Sequence, residues 1–177
     1  MTLPLSDLVA ILPELIVIGA ACLVFALDPL TPPSRKDWLA WFSVAALAAC
    51  AYLTVSRMGT SVSAFSDLVI LDPFAGFWKL LLYGVTGFTI LLSLAYLKAE
   101  RLNLGEYYGF ILLSLAGMMV MVSAADLLTI YLGMELMSLS LYVLAGFKRF
   151  EARSLEAAAK YFVLGSFSSG MLLYGIS

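Results

Sequence analysis

The sequence has no histidine, only two cysteines and few charged residues, and each shortage excludes a class of protein. Without histidine, the commonest metal ligand and the usual proton-transfer residue near neutral pH are missing. Cys22 and Cys50 each lie inside an apolar run, which favours plain packing roles over a secreted disulfide framework. There is no G-x-G-x-x-G motif, no cysteine cluster and no basic run, so we expect no bound redox cofactor, no metal and no nucleic-acid partner.

Apolar residues dominate what is present. They make up 63% of the chain, and charged residues only 12%, against about a quarter in a soluble domain. A soluble core could not bury so much apolar surface, so the lipid bilayer must solvate part of it. The first apolar stretch follows Asp7 and no Lys or Arg, so it is interpreted as a retained helix and not as a signal peptide.

Six apolar segments approach the roughly 20 residues that a helix needs to cross a bilayer. They cover residues 8–27, 38–56, 73–97, 107–124, 127–147 and 154–177. The predicted fold class is therefore all-α, a polytopic transmembrane helix bundle of about six spans. Residues 57–72 are interpreted as a loop or short interfacial segment. Pro73 is expected at a helix start, and Asp126 at the N-terminal end of the fifth span, where a carboxylate is favoured.

The distribution of Lys and Arg between the spans predicts the orientation. One side of the membrane would hold a single cation, Arg57, and the other side the remaining loop cations: Arg35, Lys36, Lys98, Arg101, Lys148, Arg149 and Arg153. We therefore expect the N-terminus outside, which is the periplasm if the source is bacterial. The chain stops within its sixth span with no polar tail, so we also expect it to be part of a longer protein.

Two of the four ionisable residues inside the spans lie near the outer side. Charge at mid-bilayer costs at least about 2.5–3.5 kcal/mol on insertion scales. Glu14 and Lys79 are each expected about 8–9 Å below the outer interface. They could snorkel, pair with each other, or serve transport directly, and all three possibilities stay open.

The other two lie deeper. Glu135 is expected about 12 Å from the outer face, beyond a carboxylate's reach to water, beside the small residues Gly133, Ser138 and Ser140. It could take up and release a proton or form a static ion pair. Lys160 on the next span is the predicted partner. The expected vertical gap of roughly 9 Å is too long for a salt bridge but suits bridging water; the alternative is that Lys160 snorkels to the surface.

Two stretches resemble a known family. LLTIYLGMELMSLSLYVL at residues 127–144 and RSLEAAAKYF at residues 153–162 are similar to the helices of the antiporter-like membrane subunits of respiratory complex I. LPEL at residues 12–15 resembles the subunit N branch. The resemblance implies two inverted five-helix repeats, with residues 1–106 as three lead-in helices and residues 107–177 as the start of the first repeat. A further lysine partner of the glutamate would lie beyond this chain.

The resemblance also implies a function. The chain would be a non-redox, proton-translocating subunit of NADH:quinone oxidoreductase in the bacterial inner (plasma) membrane. Its partners would be other membrane subunits of complex I, with FMN and iron–sulfur clusters in partner subunits. Glu135 and Lys160 would carry the proton, with Glu14 and Lys79 as possible secondary residues. The alternatives are a subunit of a Na⁺/H⁺ (Mrp-type) antiporter and a purely structural membrane subunit.

Overall fold

The computed structural model describes residues 5–32, 36–59, 61–100, 102 and 104–177. Seven helices and one two-stranded hairpin make up the regular structure of these residues. The elements in chain order are α1 (Leu5–Ala10), α2 (Leu12–Leu27), α3 (Asp37–Ser56), β1 (Val62–Ala64), β2 (Val69–Leu71), α4 (Pro73–Ala99), α5 (Glu106–Ser123), α6 (Leu127–Ala145) and α7 (Ala152–Ile176).

Within these described residues, the four helices α3 to α6 are long and apolar enough to cross a membrane. They match the predicted second to fifth spans to within a few residues. Helix α2 is apolar but has only 16 residues, and α7, with 25 residues, is not among the four. The transmembrane helical class is therefore confirmed, while the count of six spans stays a prediction.

The predicted first span is wrong as a single helix, because the chain breaks at Ile11 into α1 and α2. Pro13 has no backbone N–H, so the carbonyl oxygen of Val9 lacks its usual donor four residues later. The guanidinium of Arg57 donates to that oxygen at 2.6 Å. Arg57 thus stabilises the break in addition to being the lone cation of its loop.

The segment after α3 is more ordered than a loop, because it folds into the antiparallel hairpin β1–β2. Its turn is tight, and Phe65, Ser66 and Asp67 all have positive φ. The Phe65 N–H donates to the Asp7 carboxylate at 3.2 Å, which ties the turn to α1. A bridge between Val69 and residue 124 ties the hairpin to the α5–α6 connection. We call this end of the bundle the hairpin end.

Carboxylates begin two of the spanning helices. Asp72 precedes Pro73 and accepts from the Ala75 N–H at 2.7 Å, so α4 starts where the proline predicted. Asp126 accepts from the Thr129 N–H at 2.8 Å at the start of α6. The prediction for Asp126 is therefore confirmed.

The core lies where α2, α3, α4 and α5 meet. Helix α5 supplies its largest side chains, with Tyr108, Leu112, Leu115 and Met119 fully buried. Helix α7 packs on α6 at the edge of the bundle and has no buried residue. An edge helix with this composition leaves its outer surface to lipid or to other protein.

At the opposite end of the bundle, the basic end, most of the described loop cations are paired with acids. The ion pairs are Lys36–Asp28, Lys98–Asp37, Lys148–Glu100 and Arg149–Glu106. Asp28 is buried and also accepts from the Gly105 N–H at 2.7 Å, so it joins two loops. Arg35 and Arg101 lie outside the described residues.

Candidate proton-transfer site

Glu135 lies in the middle of α6, eight residues after Leu127 and ten before Ala145. Its side chain is half-buried, and its Oε1 is buried with no hydrogen-bond partner in the described part of the chain. A carboxylate oxygen in this position must find water, a cation or a proton, because an unsatisfied charged group in apolar surroundings is costly. The predicted central position of Glu135 is confirmed.

A pair of glycines fixes α6 against α5 close to this glutamate. A Cβ placed on Gly117 would lie 2.5 Å from the Gly133 carbonyl oxygen and 2.5 Å from the Met137 nitrogen. The two backbones therefore touch, as small residues in membrane helices allow. Close contact at Gly133 is confirmed. The contact made by Gly117 was not predicted. Gly117 follows another small residue, Ala116, in an apolar helix, and that is the same sequence signal of close helix packing.

The charge at the start of α6 is also set by its neighbours. The backbone N–H of Thr129 and, as the second largest effect, its hydroxyl donate hydrogen bonds to Asp126. These hydrogen bonds hold the pKa of that carboxyl below its usual range. Asp126 thus stays ionised at the helix N-terminus, where the helix dipole favours negative charge.

Helices α6 and α7 are antiparallel neighbours, as predicted. The ring of Tyr142 lies 4.7 Å from that of Tyr161 and 5.7 Å from that of Phe162. Farther along α7, Gly165 contacts the Tyr142 hydroxyl so closely that a Cβ there would overlap it. Aromatic packing and a glycine contact, both centred on Tyr142, therefore dock α7 on α6.

Lys160 lies on α7 with its ammonium group exposed and paired with Glu156, one turn earlier, at 2.5 Å. No ion pair joins it to Glu135, in line with the prediction that a direct salt bridge is out of reach. Near the α6–α7 connection, a Cβ on Gly146 would lie 2.8 Å from the Ala158 Cβ, and the Ser154 hydroxyl donates to the Ala145 carbonyl oxygen at 3.0 Å. The start of α7 therefore lies beside the end of α6.

The predicted vertical gap of roughly 9 Å between Glu135 and Lys160, which suits bridging water, stays a prediction.

Glu14 and Lys79 form a second, separate site. Lys79 Nζ lies 2.5 Å from Glu14 Oε1, and the residues are only 1% and 4% exposed. The possibility that they pair with each other is confirmed, and snorkelling is wrong, since neither reaches the surface. Neither Glu14 oxygen nor Lys79 Nζ has a hydrogen-bond partner of good geometry among the described residues.

Metal binding finds no support, because no group of three or more His, Cys, Asp or Glu residues comes together in the ranges that the structure describes. The four intramembrane charges fall in two places: the buried Glu14–Lys79 pair, and Glu135 with Lys160 not ion-paired to it.

Comparisons with known proteins agree with the sequence resemblance. Residues 124–177, which hold Glu135 and Lys160, match the family described as NADH:quinone oxidoreductase/Mrp antiporter, transmembrane. NADH-quinone oxidoreductase subunit N of Trichlorobacter lovleyi is 46% identical over 97% of this chain. Subunit N 2 of Rhizobium meliloti is 45% identical over 95%. The chain spans about a third of the length of these relatives, 35% in both cases.

Two solved structures share the fold. A chain of respiratory complex I from Thermus thermophilus superposes with a TM-score of 0.74 at 24% identity, covering 92% of this chain and 35% of that one. A chain of the archaeal membrane-bound sulfane sulfur reductase gives a TM-score of 0.71 at 20% identity, covering 96% and 36%. Similarity at these identities shows the fold alone.

Proposed function

Since this chain belongs to the subunit N family of the NADH-quinone oxidoreductases, we propose that it is part of a membrane subunit that helps to translocate protons. Electron transfer from NADH to quinone in partner subunits drives this transport. The chain itself has a non-redox role. FMN and iron–sulfur clusters reside in the partner subunits, and the neighbours in the membrane are other membrane subunits of the same complex.

The observation that carries the proposal is Glu135. It is a carboxylate at the centre of a membrane-crossing helix, with a buried oxygen that has no hydrogen-bond partner among the described residues. Such a group is costly to place inside a membrane, so its presence there indicates a function. Its charge state depends on which cation or water faces it, so movement of a neighbouring charge takes up or releases its proton.

Lys160 acts on the same path from the basic end. Its ammonium group is exposed on the edge helix and paired with Glu156 in this structure. When that pair opens, Lys160 can accept or pass on a proton on the side away from the hairpin. The two residues thus mark successive stages and do not form one ion pair.

The orientation and location follow from the charges. The cations gathered at the basic end support a cytoplasmic position for that end, with the hairpin end toward the periplasm. The bacterial relatives support the inner membrane as the location.

The test is Glu135→Gln in the full-length protein within the assembled complex. Glutamine keeps the size but cannot ionise, so we expect fewer protons translocated per NADH oxidised, with quinone reduction by uncoupled membranes retained. Glu151→Gln is the control, since it removes an exposed acid just before α7 that has no part in the proposed path. Proton translocation at the wild-type ratio in Glu135→Gln would remove the relay role.

Further measurements on the same complex separate the two alternatives, which the relatives do not favour. Co-purification of flavin and iron–sulfur subunits supports the oxidoreductase, and their absence, with Na⁺-dependent proton exchange, supports the antiporter. If Glu135→Ala leaves both proton translocation and quinone reduction unchanged in an assembled complex, the subunit is structural.

A further inference from the structure

A cavity of about 280 Å³ lies at the hairpin end, directly above the buried Glu14–Lys79 pair. Most of its wall is apolar and comes from α1, α2, α3 and the hairpin. Its polar side chains are Thr54 and Arg57 near the end of α3, Asp72 at the start of α4, and Lys79 about two turns farther. Met58, 44% exposed, lies at its mouth. The cavity therefore leads from the surface to one member of the pair.

The pair itself lacks the hydrogen bonds that its burial demands. Both Glu14 oxygens and Lys79 Nζ have no hydrogen-bond partner of good geometry among the described residues. Taking two charges out of water costs several kcal/mol per ion unless further hydrogen bonds satisfy them. The adjacent cavity is far larger than the roughly 10–15 Å³ that one water needs, and the four polar side chains in its mostly apolar wall offer water hydrogen-bond partners beside Lys79.

The pair is also surrounded by groups that respond to its charge. Cys50 on α3 donates through its thiol to the Pro13 carbonyl oxygen, next to Glu14, at 3.6 Å. Tyr83 lies one turn beyond Lys79 and contacts the Thr54 hydroxyl at 3.4 Å. With Arg57 and Asp72, which line the cavity, these are ionisable groups close to the pair in the described part of the chain.

We propose that this cavity is a hydrated vestibule, and that the Glu14–Lys79 pair at its floor is a second proton-binding site, open to the hairpin end and independent of Glu135. The Lys79 ammonium swings from Glu14 into the vestibule. The freed Glu14 carboxylate takes a proton from hydronium, and a water molecule stays behind in the vestibule.

Thiol labelling of the assembled complex in native membranes tests the vestibule. Gly76 lines the cavity on α4, and a Cβ there meets nothing closer than 3.6 Å, so Gly76→Cys should fold normally. Leu81, 42% exposed on the bundle surface of the same helix, provides Leu81→Cys as a control that faces lipid. The probe is a membrane-impermeant cationic methanethiosulfonate, applied to each side of the membrane, with the unsubstituted protein as background.

Because only a hydrated thiol ionises readily, we expect Gly76→Cys to react at least about tenfold faster than Leu81→Cys, and only from the hairpin side. Equal rates at the two positions would overturn the vestibule. The vestibule would also be overturned if Gly76→Cys reacted with a small uncharged reagent but not with the cationic probe.

Infrared difference spectra across a pH step test the proton site. We expect a protonated-carboxyl band that disappears in Glu14→Gln and in the Glu14→Gln/Lys79→Met double variant, and that persists in Glu135→Gln. A band unchanged in both Glu14 variants would overturn the second site. A result that removes only the proposed role of Glu135 would leave the second proton-binding site at Glu14 and Lys79 intact.

Discussion

Gly117 and Gly133 hold α5 and α6 in backbone contact, because a Cβ on Gly117 would lie 2.5 Å from the Gly133 carbonyl oxygen. Glu135 is only two residues from this contact. The position of the glutamate along and around α6 is therefore set by the closest approach in the bundle. A change at Gly117 should move Glu135 without altering any charged residue.

Substitution of Gly117 by leucine should destabilise the protein. Overpacking a tight contact costs about 1–3 kcal/mol, and here the side chain would meet backbone, which cannot rotate away. We expect a lower midpoint of thermal unfolding in detergent and lower proton translocation. Gly84→Leu is the matched control, since a Cβ on Gly84 meets nothing within 4 Å. Equal midpoints for the two variants would contradict the helix contact.

Breaking the buried ion pair on one side should be more harmful than removing it. Lys79→Met leaves Glu14 charged and unpaired, at a cost of about 3–5 kcal/mol, whereas Glu14→Gln/Lys79→Met leaves no net charge behind. We expect the amount of folded protein in membranes to fall in the single variant and to recover in the double variant.

The surface pair Lys98–Asp37 gives the comparison for this prediction, since its side chains are 56% and 36% exposed. Exposed pairs contribute about 0–1 kcal/mol, so Lys98→Met should leave the amount of folded protein nearly unchanged. A Lys79→Met protein as abundant as the Lys98→Met protein would show that the buried pair is not needed for folding.

The cap on α6 should make the order of its first turn pH-dependent. Thr129 holds the pKa of Asp126 below its usual range. A carboxyl with a lowered pKa in the folded state stabilises that state above its ordinary pKa, and this stabilisation is lost as the pH falls through the lowered value. The protection of the Leu128 and Thr129 amides against hydrogen exchange, relative to the intrinsic exchange rate at each pH, should be high at neutral pH and fall in acid.

Asp126→Asn still accepts hydrogen bonds but does not titrate, so exchange at these two amides should lose most of its acid dependence. If the acid dependence is the same in this variant and in the unsubstituted protein, another group is responsible.

The docking of α7 should depend on Gly165. A side chain there overlaps the Tyr142 hydroxyl, whereas a Cβ on Gly170 meets nothing within 4 Å. We therefore expect Gly165→Val to expose the α6–α7 connection to protease in membranes, and Gly170→Val to leave it protected. Equal cleavage of both would show that the Tyr142 contact does not hold α7.

Much of this structure could be predicted from local sequence patterns. Apolar run length predicted α3 to α6, Pro73 and Asp126 predicted helix starts, and the cost of charge in a membrane singled out Glu14, Lys79, Glu135 and Lys160. Each of these signals depends on a residue's own chemistry and immediate neighbours, which a single sequence displays.

Relationships between distant segments could not be predicted in the same way. The hairpin at residues 62–71 depends on Asp7 and on the α5–α6 connection, and the break at Ile11 depends on Arg57. The pairing of Lys160 with Glu156, and not with Glu135, depends on how α7 docks on α6 through the Gly146 and Tyr142 contacts. Whether the Glu14 and Lys79 side chains pair with each other or snorkel to the surface also depends on tertiary packing.

The most direct measurement is infrared difference spectroscopy of the assembled complex as NADH is added. If Glu135 gains and loses a proton during turnover, the spectrum contains a protonated-carboxyl band that is absent from Glu135→Gln and present in Glu151→Gln. Identical spectra for the unsubstituted and Glu135→Gln proteins, with proton translocation intact, would contradict a proton-carrying role for Glu135.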